Sequence, residues 1–195
     1  GYRSLYYNST GTRNIAMGHG ALDAADTEND NLAIGYDALG GSIAGGELNV
    51  AIGNYSLDAN TTGDNNTATG YDALTGNTTG ADNTALGYDA GDVITTGSQN
   101  VIIGSGADPS ANSGANQIVI GYGASGTGDN QIALGNTSIT HIKAQVTSIT
   151  GYSDRRIKRN IRDSDLGLAF INELRPVKYR WKNPADYPVL LLEER

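Results

Sequence analysis

Few side chains in this sequence are of the kinds that do chemistry, and most stand at repeated positions. Gly121-Tyr122-Gly123-Ala124-Ser125-Gly126 spells G-x-G-x-x-G, the spacing that brings a backbone close to a dinucleotide pyrophosphate at a helix N-terminus. The residues that follow, TGDNQIALG, read as another turn and strand, so the helix that would hold the phosphates is missing. Asp30, Asp64, Asn65, Asp82 and Asp129 precede apolar triplets and in stacked turns could offer oxygens to Ca²⁺. Calcium-binding rolls use nine-residue Gly-Asp repeats instead, and these residues read better as solvated turn positions. His19 and His141 are the only histidines and there is no cysteine, so neither a thiolate site nor a transition-metal site is expected on one chain. No pair of carboxylates stands apart from the repeat as glycoside hydrolysis would need. We expect no metal and no cofactor.

The composition explains why chemistry is sparse. Only 38 % of the 195 residues are hydrophobic and many of these are Ala, too few for a conventional oily core. Residues 1–150 hold 25 of the 27 Gly and carry 14 acidic against 3 basic side chains, net −11; residues 151–195 carry 7 against 10, net +3. Phe170 and Trp181, the only Phe and Trp, both lie in the second part. The composition therefore changes near residue 150. So acidic a first part repels phosphates and anionic surfaces, which argues against nucleic acid as a partner. No apolar run is long enough for a membrane-spanning helix and no signal peptide is evident, so no membrane insertion is expected. The chain opens at Gly1 in mid-pattern without a Met, and the expectation is a piece of something longer.

The element that must position any site is a repeat. NLAIGYDALG, from Asn31, returns as NVAIGNYSLD, NTATGYDALT and NTALGYDAGD. Its central glycine recurs at Gly1, Gly18, Gly35, Gly53, Gly70, Gly87, Gly104, Gly121 and Gly135, at spacings of 17, 17, 18, 17, 17, 17, 17 and 14. Nine registers at a near-constant period predict a solenoid. Asn stands four residues before the glycine at Asn14, Asn31, Asn49, Asn66, Asn83 and Asn100, and one place earlier at Asn116 and Asn130, where Gln117 and Gln131 take its slot. Stacked coils would make these amides a ladder. The triplets between, such as Leu32-Ala33-Ile34 and Val50-Ala51-Ile52, predict strands with one bulky and one small apolar face. A thin coil covers only the face toward its own lumen, so the other calls for neighbouring chains. Gly, Asn, Asp and Thr in the spacers predict tight turns joining short strands within each coil. Tyr follows the glycine at Tyr2, Tyr36, Tyr71, Tyr88 and Tyr122, with His19 as a variant. This ladder reads as packing, with contact to a glycan as the alternative.

On these motifs residues 1–140 resemble the left-handed parallel β-roll heads of YadA-like trimeric autotransporter adhesins and related phage fibres. The resemblance implies an obligate homotrimer. The Ser that follows Asn in that family is missing here, and only the last coil approaches the family's repeat of about 14 residues.

The last part is written differently. Ile142, Ala144 and Val146 alternate as in a strand; SDLGLAFINEL predicts a helix with Ser164 as N-cap, ending before Pro176; PVKYRWK predicts a strand with Val177, Tyr179 and Trp181 on one side. Ser153-Asp154-x-Arg156-x-Lys158, Asn160-Ile161 and Leu174-x-Pro176-Val177-x-Tyr179-x-Trp181-Lys182 closely resemble the start of the C-terminal intramolecular chaperone domain of phage tail spikes and fibres, a self-cleaving Ser-Lys peptidase family. Arg155–Arg159 lies inside this motif and reads with it, not as a nucleic-acid patch. The resemblance implies a domain that trimerises, folds the fibre ahead of it and cuts itself away. Carried over, the scissile bond is Tyr152–Ser153, with Ser153 the nucleophile and Lys158 its general base.

The sequence thus predicts an all-β solenoid, a left-handed parallel β-roll in a homotrimer, over residues 1–139. A neck strand follows over 140–152, and 153–195 begin an α+β chaperone domain. The function expected is structure and host attachment in a phage tail fibre or virion appendage, extracellular, its partners itself and a bacterial surface receptor or glycan. The alternatives are a bacterial trimeric adhesin, or the shaft of a glycan-degrading spike whose catalytic domain lies outside this chain.

Overall fold

The computed structural model describes residues 1–24, 27–41 and 46–142, which belong to one unit. The neck strand beyond His141–Ile142, the helix, the last strand and Tyr152, Ser153 and Lys158 lie outside the described residues.

Eight three-residue strands form one parallel sheet in chain order: β1 (Ile15–Met17), β2 (Leu32–Ile34), β3 (Val50–Ile52), β4 (Thr67–Thr69), β5 (Thr84–Leu86), β6 (Val101–Ile103), β7 (Ile118–Ile120) and β8 (Ile132–Leu134). Each pairs in register with the next, Ala33 opposite Ala51 and Ala51 opposite Ala68. The repeat is therefore a solenoid, and the ninth register is Gly1, whose backbone sits against Gly18. Where the spacers predict several short strands per coil, one strand per coil is seen among the described residues. The remainder is turn, yet its backbone still bonds between coils: Asp37 N–H donates back to His19 and Leu39 N–H forward to Ser56.

This alternation comes from left-handed residues two apart. Asp37, Asp72 and Asp89 have φ of 48°, 53° and 52°, and Leu39, Leu74 and Leu57 have 49°, 53° and 52°. Asp tolerates that region through local hydrogen bonding, whereas Leu is strained there by about 1 kcal/mol. Burial offsets the strain, because Leu22, Leu39, Leu57 and Leu74 are swung into the lumen and fully buried. The glycine that ends each strand is required twice over. Gly70 has φ +145°, and a Cβ there would lie 2.1 Å from the Gly87 carbonyl oxygen of the next coil.

The small face of each strand points inward. Ala33, Ala51, Ala68 and Ala85 are buried in a column opposite the turn leucines, while Ile15, Met17, Leu86, Ile120, Ile132 and Leu134 are exposed on the outside. Toward the C-terminal coils the volumes exchange places. The leucine slot becomes Gly91 and then Asp108, and the strand column becomes Ile102 and Val119, with Ile94 filling the space beside Gly91. The bulk of the core thus shifts from turn to strand, as close packing requires when one contributor shrinks.

The amide ladder runs beside this core. Asn49, Asn66, Asn83 and Asn100 are buried; each backbone N–H donates to the side-chain oxygen of the Asn one coil earlier, at 2.9, 2.9, 3.0 and 3.1 Å. Their Nδ2 groups donate to Gly63, Gly80, Gly97 and Gly114 carbonyls at 2.7–2.9 Å. A second buried pair, Asn60 and Asn77, donates to the same Gly63 and Gly80 carbonyls from the other side, each at 3.0 Å. Two amides thus clasp one turn carbonyl. Gln117 continues the ladder, its N–H on Asn100 at 3.0 Å, but its longer side chain reaches Ser110 instead of a glycine.

Replacing Asn66 by Leu removes the acceptor for Asn83 N–H and one donor to Gly80 while keeping similar bulk. With about 1–3 kcal/mol lost for each buried group left unpaired, Asn66→Leu should lower stability by roughly 2–5 kcal/mol, read as a fall in the thermal midpoint. An unchanged midpoint would show that the ladder does not hold the coils.

Candidate functional site: an aromatic ladder beside an acidic row

Immediately after each strand-ending glycine the chain presents a side chain at the surface, and axial stacking aligns these side chains. Tyr2, His19, Tyr36, Tyr55, Tyr71 and Tyr88 follow one another with ring centroids 5.3, 5.0, 5.3, 5.8 and 5.5 Å apart. His19 lies parallel to Tyr36, at 8°, so it is a ladder member as its position predicts. Tyr55 is the member the sequence hides: it stands one place later than the other tyrosines, in the slot of Asp37 and Asp72, and meets Tyr36 and Tyr71 edge-on. The signal was the shift itself, since Gly53 is followed by Asn54 and then Tyr55.

Beside the rings runs a row of carboxylates that no motif announced. Asp37, Asp72 and Asp89 come from the left-handed slot after each ring, and Asp23, Asp58, Asp92 and Asp108 from further round the turn. Burial and the charges of Asp37, Asp23 and Asp72 push Asp58 above the ordinary carboxylate range. Burial and then Asp89 and Asp92 do the same to Asp72. Asp108 is pushed up to about 6, by burial first and next by the charge of Asp92 and a hydrogen bond with it. The Asp37, Asp72 and Asp89 charges in turn raise the phenols of Tyr36, Tyr71 and Tyr88, keeping those rings neutral donors. At the N-terminal end of the row Arg3 lies 3.9 Å from Asp23; in the separate corner column before the strands, Arg13 donates to both oxygens of Asp30 and holds its carboxyl below the usual range.

The turn acids singled out from the sequence serve the backbone. Asp64 accepts from Glu47 N–H and Asp129 from Ala115 N–H, both at 2.8 Å; Asp30, Asn65 and Asp82 hold left-handed corners. Gly121 closes β7, and the rest of G-x-G-x-x-G crosses the turn toward β8. His141 is exposed, its Nδ1 2.9 Å from Thr140 Oγ1. Among the described residues the arrangement supplies stacking surfaces and acceptors but no nucleophile beside a base. It is suited to binding.

Residues 153–190 match the family described as chaperone of endosialidase. The comparisons with curated proteins and with solved structures found no match. The matched segment begins at Ser153, and with the solenoid ahead of it the chain fits a phage tail-fibre type of protein.

The acidic row makes stability pH-dependent. A carboxyl whose folded pKa is raised gives its full stabilising contribution below the unfolded value of 3.8 and loses it as pH rises through about 6. Thermal midpoints should therefore rise as pH is lowered from 7 to 5, and Asp108→Asn should raise the midpoint at pH 7 while flattening that rise. A variant no more stable than wild type at pH 7 would remove Asp108 as the source.

Proposed function

We propose that this chain is the shaft and host-attachment part of a homotrimeric phage tail fibre or virion appendage, displayed outside the cell, with a chaperone segment that assembles the trimer. One observation carries the reading: a parallel solenoid with its bulky strand residues facing outward precedes, in chain order, a segment that matches the chaperone-of-endosialidase family.

The outward face supports the trimer. Ile34, Ile52, Leu86, Ile103, Ile120 and Leu134 share one column along the sheet by its in-register pairing, interrupted by Thr69 between Ile52 and Leu86. Withdrawing such a column from water against two other copies would add about 25 cal/mol per Å² of apolar area to what the narrow lumen already buries. A fibre made of turns alone would have no reason to keep β-branched residues there.

The proposed cut follows from the resemblance of Ser153-Asp154-x-Arg156-x-Lys158. Ser153 Oγ attacks the Tyr152 carbonyl carbon while Lys158 Nζ takes the hydroxyl proton. The amide C–N bond breaks and the nitrogen receives that proton. Water then hydrolyses the ester, leaving a carboxyl on Tyr152 and a free amine on Ser153. The base works only if its pKa is depressed by desolvation in a folded assembly, which ties cutting to trimer formation.

Full-length protein with and without Ser153→Ala tests this on a denaturing gel. Wild type should separate into two pieces at Tyr152–Ser153 and the variant should stay whole; two uncut bands of equal mass would end the self-processing claim. Synthesis without the segment from residue 153 onward should leave the solenoid unassembled, and a normal trimer from it would end the chaperone claim.

A further inference from the structure

The aromatic ladder has a missing rung. After Tyr88 the next coil offers Ser105 and Gly106 where earlier coils have Tyr and Asp, and the coil after that returns to Tyr122 followed by Gly123. Backbone hydrogen bonds fix the three coils in register, Gly106 N–H on Tyr88 oxygen at 2.8 Å and Gly123 N–H on Ser105 oxygen at 2.9 Å. Two rungs of a parallel β ladder span about 9.6 Å, against ring separations of 5.0–5.8 Å elsewhere in this ladder. One ring is absent, at Ser105, and the residue after it, Gly106, which stands where earlier coils have Asp, borders open space: a Cβ there would meet nothing within 4 Å.

The flanking rings show the gap directly. Tyr36 and Tyr71, held between neighbours, are 42 % and 43 % exposed, whereas Tyr88 is 56 % and Tyr122 is 77 % exposed. Tyr88 lies parallel to Tyr71, at 11°, which leaves its other face toward the Ser105 coil. The slot therefore has an aromatic wall from Tyr88, a second tyrosine two rungs away, a hydroxyl at its floor from Ser105, and the Asp89 carboxylate beside the first wall.

We propose that this slot binds one pyranose ring of a neutral glycan. A sugar ring has two C–H faces that stack on aromatic rings, and rim hydroxyls that donate to a carboxylate and exchange hydrogen bonds with a serine. A phenyl ring would satisfy the walls but offer no hydrogen bond to the Ser105 hydroxyl or to the remaining acceptor capacity of Asp89. An anionic sugar would face Asp72, Asp89, Asp92 and Asp108, with no Lys or Arg beside them among the described residues. The proposal deepens the attachment reading by naming the ligand class.

Saturation-transfer NMR on the full-length protein tests it, with the methyl β-glycosides of glucose, galactose and N-acetylglucosamine as neutral probes, N-acetylneuraminic acid as the anionic probe and phenol as the aromatic one. At least one neutral glycoside should bind, and Ser105→Tyr, which puts the missing ring back, should weaken it about tenfold or more while leaving the thermal midpoint at or above that of wild type. Tyr122→Ala, which takes away the other wall, should weaken it similarly and serves should the first variant not fold. Absence of binding by all three glycosides, unchanged binding in both variants, or preference for phenol or the anionic sugar would overturn the proposal. Adsorption of the fibre to host cells is scored separately: Ser105→Tyr protein that loses sugar binding but still adsorbs upholds the slot and assigns attachment to another surface.

Discussion

Everything in this solenoid depends on coils bonding to coils along one axis, and the buried amide ladder is the strictest part of that bonding. A backbone N–H of one coil needs the side-chain oxygen of Asn in the coil before, and the Nδ2 of the same Asn needs a glycine carbonyl in the next. Both demands fix distance and direction, because an unpaired amide in the interior costs more than the bond returns. The bonding therefore fixes where each coil must present its Asn and Gly more strictly than it fixes coil length: the 18-residue step from Asn31 to Asn49 keeps the same bond at 2.9 Å. The strand-ending glycines add a steric one, since the next coil's carbonyl occupies the place of a Cβ.

The ladder leaves little room inside, and this decides where large side chains go. With Asn on one side and left-handed leucines opposite, the inward strand position takes Ala until the leucine slot empties at Gly91 and Asp108, where Ile102 and Val119 take over. Bulky strand residues are thereby placed outside. The features that make the single coil thin also make it incomplete, which is the physical basis for reading the molecule as one part of an assembly. Surface ladders follow for the same reason: any residue type repeated at one offset is stacked about one strand spacing from its copies, whether it is Tyr, Asp or Thr.

Much of this was legible because the repeat is regular. Asn49, Asn66 and Asn83 announced a ladder, Val50-Ala51-Ile52 announced strand faces of unequal size, and His19 announced itself as a stand-in for Tyr. What could not be read was conformation without a residue signature. Leu in the left-handed region contradicts its own preference and is imposed by burial, so Leu39 and Leu57 gave no hint of carrying the core from a turn. The acidic row was hidden because its members come from different offsets and meet only after coiling. Tyr55 was hidden by its one-place shift. The Ser-Lys motif at Ser153 and Lys158 was legible only as a resemblance, since their chemistry depends on geometry that spacing does not determine.

The central claim is that the outward apolar strand face is covered by identical copies. Sedimentation equilibrium of the purified full-length protein tests it most directly. The account predicts a single species of three chain masses that resists dilution and dissociates only when the solenoid unfolds. A stably folded monomer, with a cooperative thermal transition and those strand residues open to solvent, would contradict it.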